Sequence, residues 1–276
     1  RTKYGNAFVS PDLEVISLID GEYYDVEPKQ SISPIPRKNH ICELINNQMF
    51  IYGGLSDKNE ILNDCYYLSL SNPFKWFSCT ISRSTPLPKL YGHTSSLVLP
   101  KEFYSTHLKF DIFSYPDIDY NTNRLKEIGI YIFGGKSKDE NGLTNKLWVI
   151  HLGQKPLKWI PLETKGKPPC PRYFHSMNYY EKGNILIVHG GRNDSMSDTN
   201  ALSDTFIFDL ENFEWSQIEL YSQLQSFKVI SRCGHQSVIY CNKLIILGGM
   251  NNNNYIGSAL LIVNLDFSYS KTNKSI

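Results

Sequence analysis

Four histidines recur along the 276-residue chain, each closing a short entrance segment: Pro36-Arg37-Lys38-Asn39-His40, Pro88-Lys89-Leu90-Tyr91-Gly92-His93, Pro171-Arg172-Tyr173-Phe174-His175 and Ser231-Arg232-Cys233-Gly234-His235. Imidazoles are common metal ligands, so a recurring His raises the question of a metal ring. The recurrence argues against it. A catalytic group is needed once, whereas a residue repeated with its neighbours does repeated structural work. The Arg three residues before three of the four histidines points to a packing and hydrogen-bonding device at a strand entrance, with the Arg heads reaching the rim. Leu90 interrupts the pattern, with Lys89 beside it. No metal or cofactor is expected.

Other chemistries lack their motifs. There is no Gly-x-Ser-x-Gly, P-loop, HExxH or GxGxxG. Six cysteines (Cys42, Cys65, Cys79, Cys170, Cys233, Cys241) show neither a CxxC nor a regular framework spacing. They read as buried reduced thiols of a cytoplasmic or nuclear protein, with disulfides or a metal site as the alternatives. Sequons at Asn193-Asp194-Ser195 and Asn273-Lys274-Ser275 matter only if the chain is secreted. A formal charge of +1 gives no global electrostatic footprint for nucleic acid or an anionic membrane. No apolar run approaches the roughly 18–20 residues of a membrane helix.

The elements that must position these residues repeat with them. Met49-Phe50-Ile51-Tyr52-Gly53-Gly54 returns as Ile130 to Gly135, Ile185 to Gly191 and Lys243 to Gly249. A β-branched and aromatic run ending in two glycines reads as a strand entering a turn that requires positive φ or close backbone approach. From the His to the first Gly is 13, 15 and 13 residues in three units and 41 in the fourth. After each pair comes a polar loop and then a third apolar run: Cys65-Tyr66-Tyr67-Leu68, Leu147-Trp148-Val149-Ile150, Phe206-Ile207-Phe208 or Leu260-Leu261-Ile262. Trp76, Trp159 and Trp215 follow in the first three units, and the last unit has none. Two further strands, around residues 12–18 and 23–26, precede the first entrance. One unit is therefore four short strands in an antiparallel meander, and 17 strands are expected in all.

The double glycine after an apolar strand, the aromatic several residues on and the Trp beyond it resemble the kelch motif, and the Pro-Arg-x-x-His lead-in is similar to the kelch subclass of large multidomain regulators. The resemblance covers nearly the whole chain. It implies an all-β, kelch-type β-propeller of four-stranded antiparallel blades, about five of them visible, with the first and last incomplete. The expected organisation is a single domain over residues 1–276, with blade remnants at 1–30, blades at 36–80, 88–163, 171–219 and 231–267, and an insertion at 100–127. The chain is expected to belong to a longer protein. Within the family, an iron-bearing group carries Glu-x3-Asp-x3-His; Glu60 and Asp64 have the first spacing, but Leu68 stands at the third position. Catalysis is not expected.

In such a meander the entrances and the loops after each glycine pair share one end of the blade, whereas the insertion emerges at the other. The resemblance implies a protein or peptide partner bound at the first end. It nominates Lys138, Asp139, Arg172, Arg192, Asn193, Asp194, Arg232, Asn251, Asn252 and Tyr255, with Gly53, Gly54, Gly134, Gly135, Gly190, Gly191, Gly248, Gly249, Trp76, Trp159 and Trp215 as structural residues. The expected function is a non-catalytic interaction module, a scaffold or adaptor. The alternative is a regulatory propeller of a larger enzyme, such as a kelch-containing serine/threonine phosphatase.

Overall fold

The computed structural model describes residues 2–3, 6–7, 13–16, 21–26, 32–71, 73–82, 87–99, 128–138, 142–152, 156–195, 200–220, 229–251 and 254–265. The insertion at 100–127, Asp139 and Asn252 lie outside them. The chain packs as two compact units, Arg1–Glu163 with Pro171–Tyr173, and Thr164–Cys170 with Phe174–Ile276.

The first unit holds a hairpin and two blades. Leu13–Ile16 pairs antiparallel with Tyr23–Val26. Blade 1 is a meander of Ile41–Ile45, Gln48–Tyr52, Cys65–Ser69 and Lys75–Ser78, each strand hydrogen-bonded to the next. Blade 2 repeats it with Thr94–Val98, Gly129–Phe133, Leu147–His151 and Lys158–Pro161. The two faces of a strand alternate, so runs buried throughout, such as Gly129–Phe133 and Leu147–His151, mark strands covered on both sides. Ile45, Phe50, Tyr52, Ile128, Ile130 and Ile132 form the centre of this core. Each fully buried side chain of this size contributes about 1.5–3 kcal/mol.

The second unit holds two more blades. Blade 3 is Ser176–Tyr180, Ile185–His189, Thr205–Asp209 and Glu214–Ile218. Blade 4 is Gln236–Tyr240, Lys243–Leu247 and Leu260–Asn264, three strands among the described residues. Leu244, Ile246 and Leu261 on one face of blade 4 pack against Tyr180, Ile185 and Ile187 of blade 3. The first and second strands of blade 4 join through Cys241 and Asn242, both at positive φ (45° and 58°), which matches the right-handed twist of a tight hairpin.

The strands of the repeated meander stand where the periodicity places them. The shorter ladders carry no periodic signal. Arg37–Lys38 pairs with Leu55–Ser56, Lys136–Ser137 with Gly142–Leu143, and Met250–Asn251 with Asn254–Tyr255, so the loops after the glycine pairs are partly built as β-structure. Lys165–Gly166 runs parallel to Glu214–Trp215 as a fifth strand of the blade 3 sheet. In the first unit, Ile81 bridges Leu157 in parallel fashion beside the fourth strand of blade 2.

Candidate functional site: the entrances and the loops after the glycine pairs

The glycine pair is the hinge of each blade end. Gly53 and Gly54 have φ of 67° and 98°, a region that side-chain-bearing residues adopt only with strain. A Cβ on Gly53 would meet the Leu90 carbonyl at 2.8 Å and His93 Cε1 at 2.9 Å; one on Gly54 would meet the Lys38 carbonyl at 2.7 Å and His40 Cβ at 2.9 Å. The first glycine thus admits the entrance of the next blade, and the second admits the entrance of its own. Backbone bonds complete the seam: the Gly54 N–H donates to Leu90 O at 2.8 Å, and the Leu90 N–H donates to Leu62 O at 3.3 Å. In the second unit Gly191 and Arg232 make the same pair of bonds, to Arg232 O at 2.8 Å and Leu202 O at 2.9 Å.

The histidines are seam residues. His93 is 4% exposed and stands edge-on to Tyr52, with ring centroids 5.2 Å apart. Burial, and next the His40 charge, hold its pKa down at about 3. His235 faces His189 at 5.5 Å and bonds Ser176 Oγ through Nε2 at 3.0 Å; burial, with the Arg232 charge, holds it at about 4. Both rings are neutral at physiological pH. Among the described residues no group of three or more His, Cys, Asp or Glu side chains could hold a metal ion. None of the six cysteines is in a disulfide.

The arginines correct the sequence expectation. Arg37 is buried, its Nε donating to Ile35 O (3.2 Å), its Nη1 to Gly53 O (3.1 Å), and both Nη groups to the Asp64 carboxylate at 2.6 and 3.0 Å. Arg172 is 0% exposed and Arg232 2% exposed, so neither side chain reaches a partner at the rim. Planar guanidinium groups fit such enclosed forks because they satisfy several carbonyls and a carboxylate at once. Asn193 is also buried: its side-chain oxygen accepts from the Ser195 N–H at 2.9 Å and its N–H donates to Asn200 O at 2.8 Å, so it shapes the loop from within.

Other nominated residues do face outward. In the first unit Lys138 lines an open cleft of about 380 Å³ with Glu60, Ile61, Leu62, Asn63, Asp64 and Lys89. The cleft lies between the loop after Gly54 and the entrance of blade 2, and it carries two cations and two carboxylates. In the second unit Arg192 Nε pairs with Asp194 at 2.7 Å, each about one-third exposed, while Tyr255 is 84% exposed and Asn251 half-buried. The tryptophans are structural: Trp159 packs on Tyr52 of blade 1 at 4.9 Å, Trp215 on Phe208 at 4.9 Å, and Trp76 on Ile51 and Leu68 of its own blade.

These features define a β-propeller protein built from glycine-pair blades. The family model of the KLHDC2/KLHL20/DRC7 Kelch-repeats domain matches residues 123–274, more than half of the chain, and the chain belongs to the kelch-repeat family. Its relatives include the host cell factor of Drosophila melanogaster, 27% identical over 82% of this chain and 14% of that protein. The Rab9 effector protein with kelch motifs of Bos taurus is 25% identical over 81% of this chain and 51% of its own length. Acyl-CoA-binding domain-containing protein 5 of Arabidopsis thaliana is 25% identical over 79% of this chain and 37% of that protein. The chain thus spans well under two thirds of these relatives.

Proposed function

We propose that this chain is a non-catalytic protein-interaction module whose partner segment is held by the loops after the glycine pairs. One observation carries the reading: the motif residues of each entrance are consumed by the blade seams, while the adjoining loops present unlike side chains to solvent around the cleft at Lys89 and Lys138. A repeat that conserves its interior and varies its loops offers a rigid platform for recognition. The mixed charge of the cleft suits a polar segment bearing both signs. The kelch relatives support the reading, since one of them is by name an effector of Rab9. We place the protein in the cytoplasm or nucleus, in keeping with its unpaired thiols.

A second reading is favoured by the short share of each relative that the chain covers: a targeting or regulatory propeller within a larger enzyme. Once a partner is in hand, hydrogen exchange of the complex separates the two. Protection centred on 55–62, 89 and 136–138 supports the interaction reading; protection confined to the blade strands and edges supports docking onto another domain.

A further inference from the structure

The two faces of blade 4 are used differently. Alternate residues of a strand share a face, and the register sets nine of them in a grid of three rows. Tyr240, Lys243 and Asn264 cross one end, Val238, Ile245 and Ile262 the middle, and Gln236, Leu247 and Leu260 the other end. The opposite face, with Leu244, Ile246 and Leu261, packs into the seam with blade 3. On the grid, Val238, Tyr240, Leu247, Leu260 and Ile262 are each more than half exposed, and Lys243 is the one charged residue.

In the seams of blade 1 with blade 2 and of blade 3 with blade 4, the corresponding face carries polar residues that register the next blade. The residue third after the entrance His meets the Ser second after the next His. Glu43 accepts from Ser95 Oγ at 2.5 Å; Asn178 Oδ1 accepts from Ser237 Oγ, and its Nδ2 donates to Ser237 O at 3.2 Å. The residue before the first glycine adds a ring edge-on to the next His: Tyr52 to His93 at 5.2 Å, and His189 to His235 at 5.5 Å.

Blade 4 has Val238 and Leu247 at these two places. Its exposed face therefore can neither bond an entrance Ser nor offer a ring to an entrance His. Aliphatic contact is what it has left to give, and an occupant that needs no polar register suits it better than another blade of this repeat.

We propose that this face packs on the same face of a second copy of the chain, forming a two-fold dimer. Two such sheets stack as in a sandwich, and an isologous contact asks only that the patch be complementary to itself. Five half-exposed apolar side chains present on the order of 500 Å² per copy, or about 1,000 Å² for the pair, which is the lower end of specific interfaces. Tyr240 suits such a contact because its ring buries while its hydroxyl stays at the margin. Lys243, in an end row, lays its apolar stem along the face and carries its charge to the rim, so the two copies do not trap like charges.

The test is sedimentation velocity of the protein over a concentration series. An interface of this size is expected to give monomer at about 2 µM and mainly dimer at about 200 µM. Ile262→Asp and Tyr240→Glu, which place a carboxylate on the face, are expected to remain monomeric throughout, whereas Leu44→Asp, at an exposed apolar residue of blade 1, is expected to dimerise as the wild type does. Should a face variant fail to fold, hydroxyl-radical labelling of Tyr240 in the wild type decides, with labelling expected to fall as the dimer forms. A wild type that stays monomeric at every concentration overturns the second copy as occupant and leaves the face to a segment of other sequence. A dimer that persists in both face variants, or leaves Tyr240 equally labelled, places the contact elsewhere and overturns the face. The face shares no residue with the cleft at Lys89 and Lys138, so this reading and the partner reading can fail separately.

Discussion

Arg37 grips Asp64 through two parallel hydrogen bonds of 2.6 and 3.0 Å, tying the entrance of blade 1 to the start of its third strand. The guanidinium side chain is 3% exposed and the carboxylate 37%, so the pair is screened on one side only. Asp64→Ala leaves a buried cation with only carbonyl partners and is expected to cost about 2–3 kcal/mol. Replacing both partners, as Arg37→Leu with Asp64→Ala, is expected to cost less than the two single losses added together, because no buried charge is stranded. Urea midpoints of the three variants measure this; additive losses would contradict it.

The glycines separate torsional strain from collision. Gly234 has φ of 64° and nothing within 4 Å of an added Cβ, so Gly234→Ala is expected to cost about 1–2 kcal/mol. Gly54→Ala adds backbone contact at 2.7 Å to a φ of 98° and is expected to cost at least twice as much. Denaturation of both in parallel checks the order.

Trp159 lies across the seam of the first unit, 2% exposed and 4.9 Å from Tyr52. Trp159→Ala is expected to cost about 3–5 kcal/mol. A loss below about 1 kcal/mol would show that the seam does not depend on it.

The seam histidines set an acid limit. His93 is held at about 3 in the folded state against an ordinary imidazole near 6.5, so the unfolded chain binds the proton that the folded chain refuses. Stability is full above about pH 6.5, falls as pH drops below it and levels off under the folded pKa. For His93 alone the loss at pH 5 is about 2 kcal/mol. His235 and His151, each at about 4 through burial and then a nearby Arg232 or Lys158 charge, add in the same direction. Melting curves from pH 7.5 to 5 should fall accordingly, and His93→Gln should flatten the slope even though it lowers the starting stability.

The blades were legible because a glycine pair, a His and a Trp each recur at spacings that only a repeated meander satisfies. The role of the arginines was not. Whether Arg37 or Arg232 reaches solvent depends on the carbonyls that enclose it, Ile35 O and Gly53 O in one and Ile230 O and Gly248 O in the other, and the spacing of the motif does not reveal that enclosure. The cleft at Lys89 and Lys138 was half visible: the loop was nominated, but the entrance lysine stood out only as a departure from pattern. The ladder of Arg37–Lys38 with Leu55–Ser56 was hidden because two-residue strands carry no periodicity.

The exposed loop face is the proposed partner surface, and affinity capture with the domain from its native lysate, run beside Lys89→Glu with Lys138→Glu, tests that most directly. Both side chains line the cleft and neither is in a blade core, so the double variant should keep the wild-type melting temperature. A specific partner is expected to be retained by the wild type and lost, at least tenfold, by the variant. Equal capture by both proteins would contradict it.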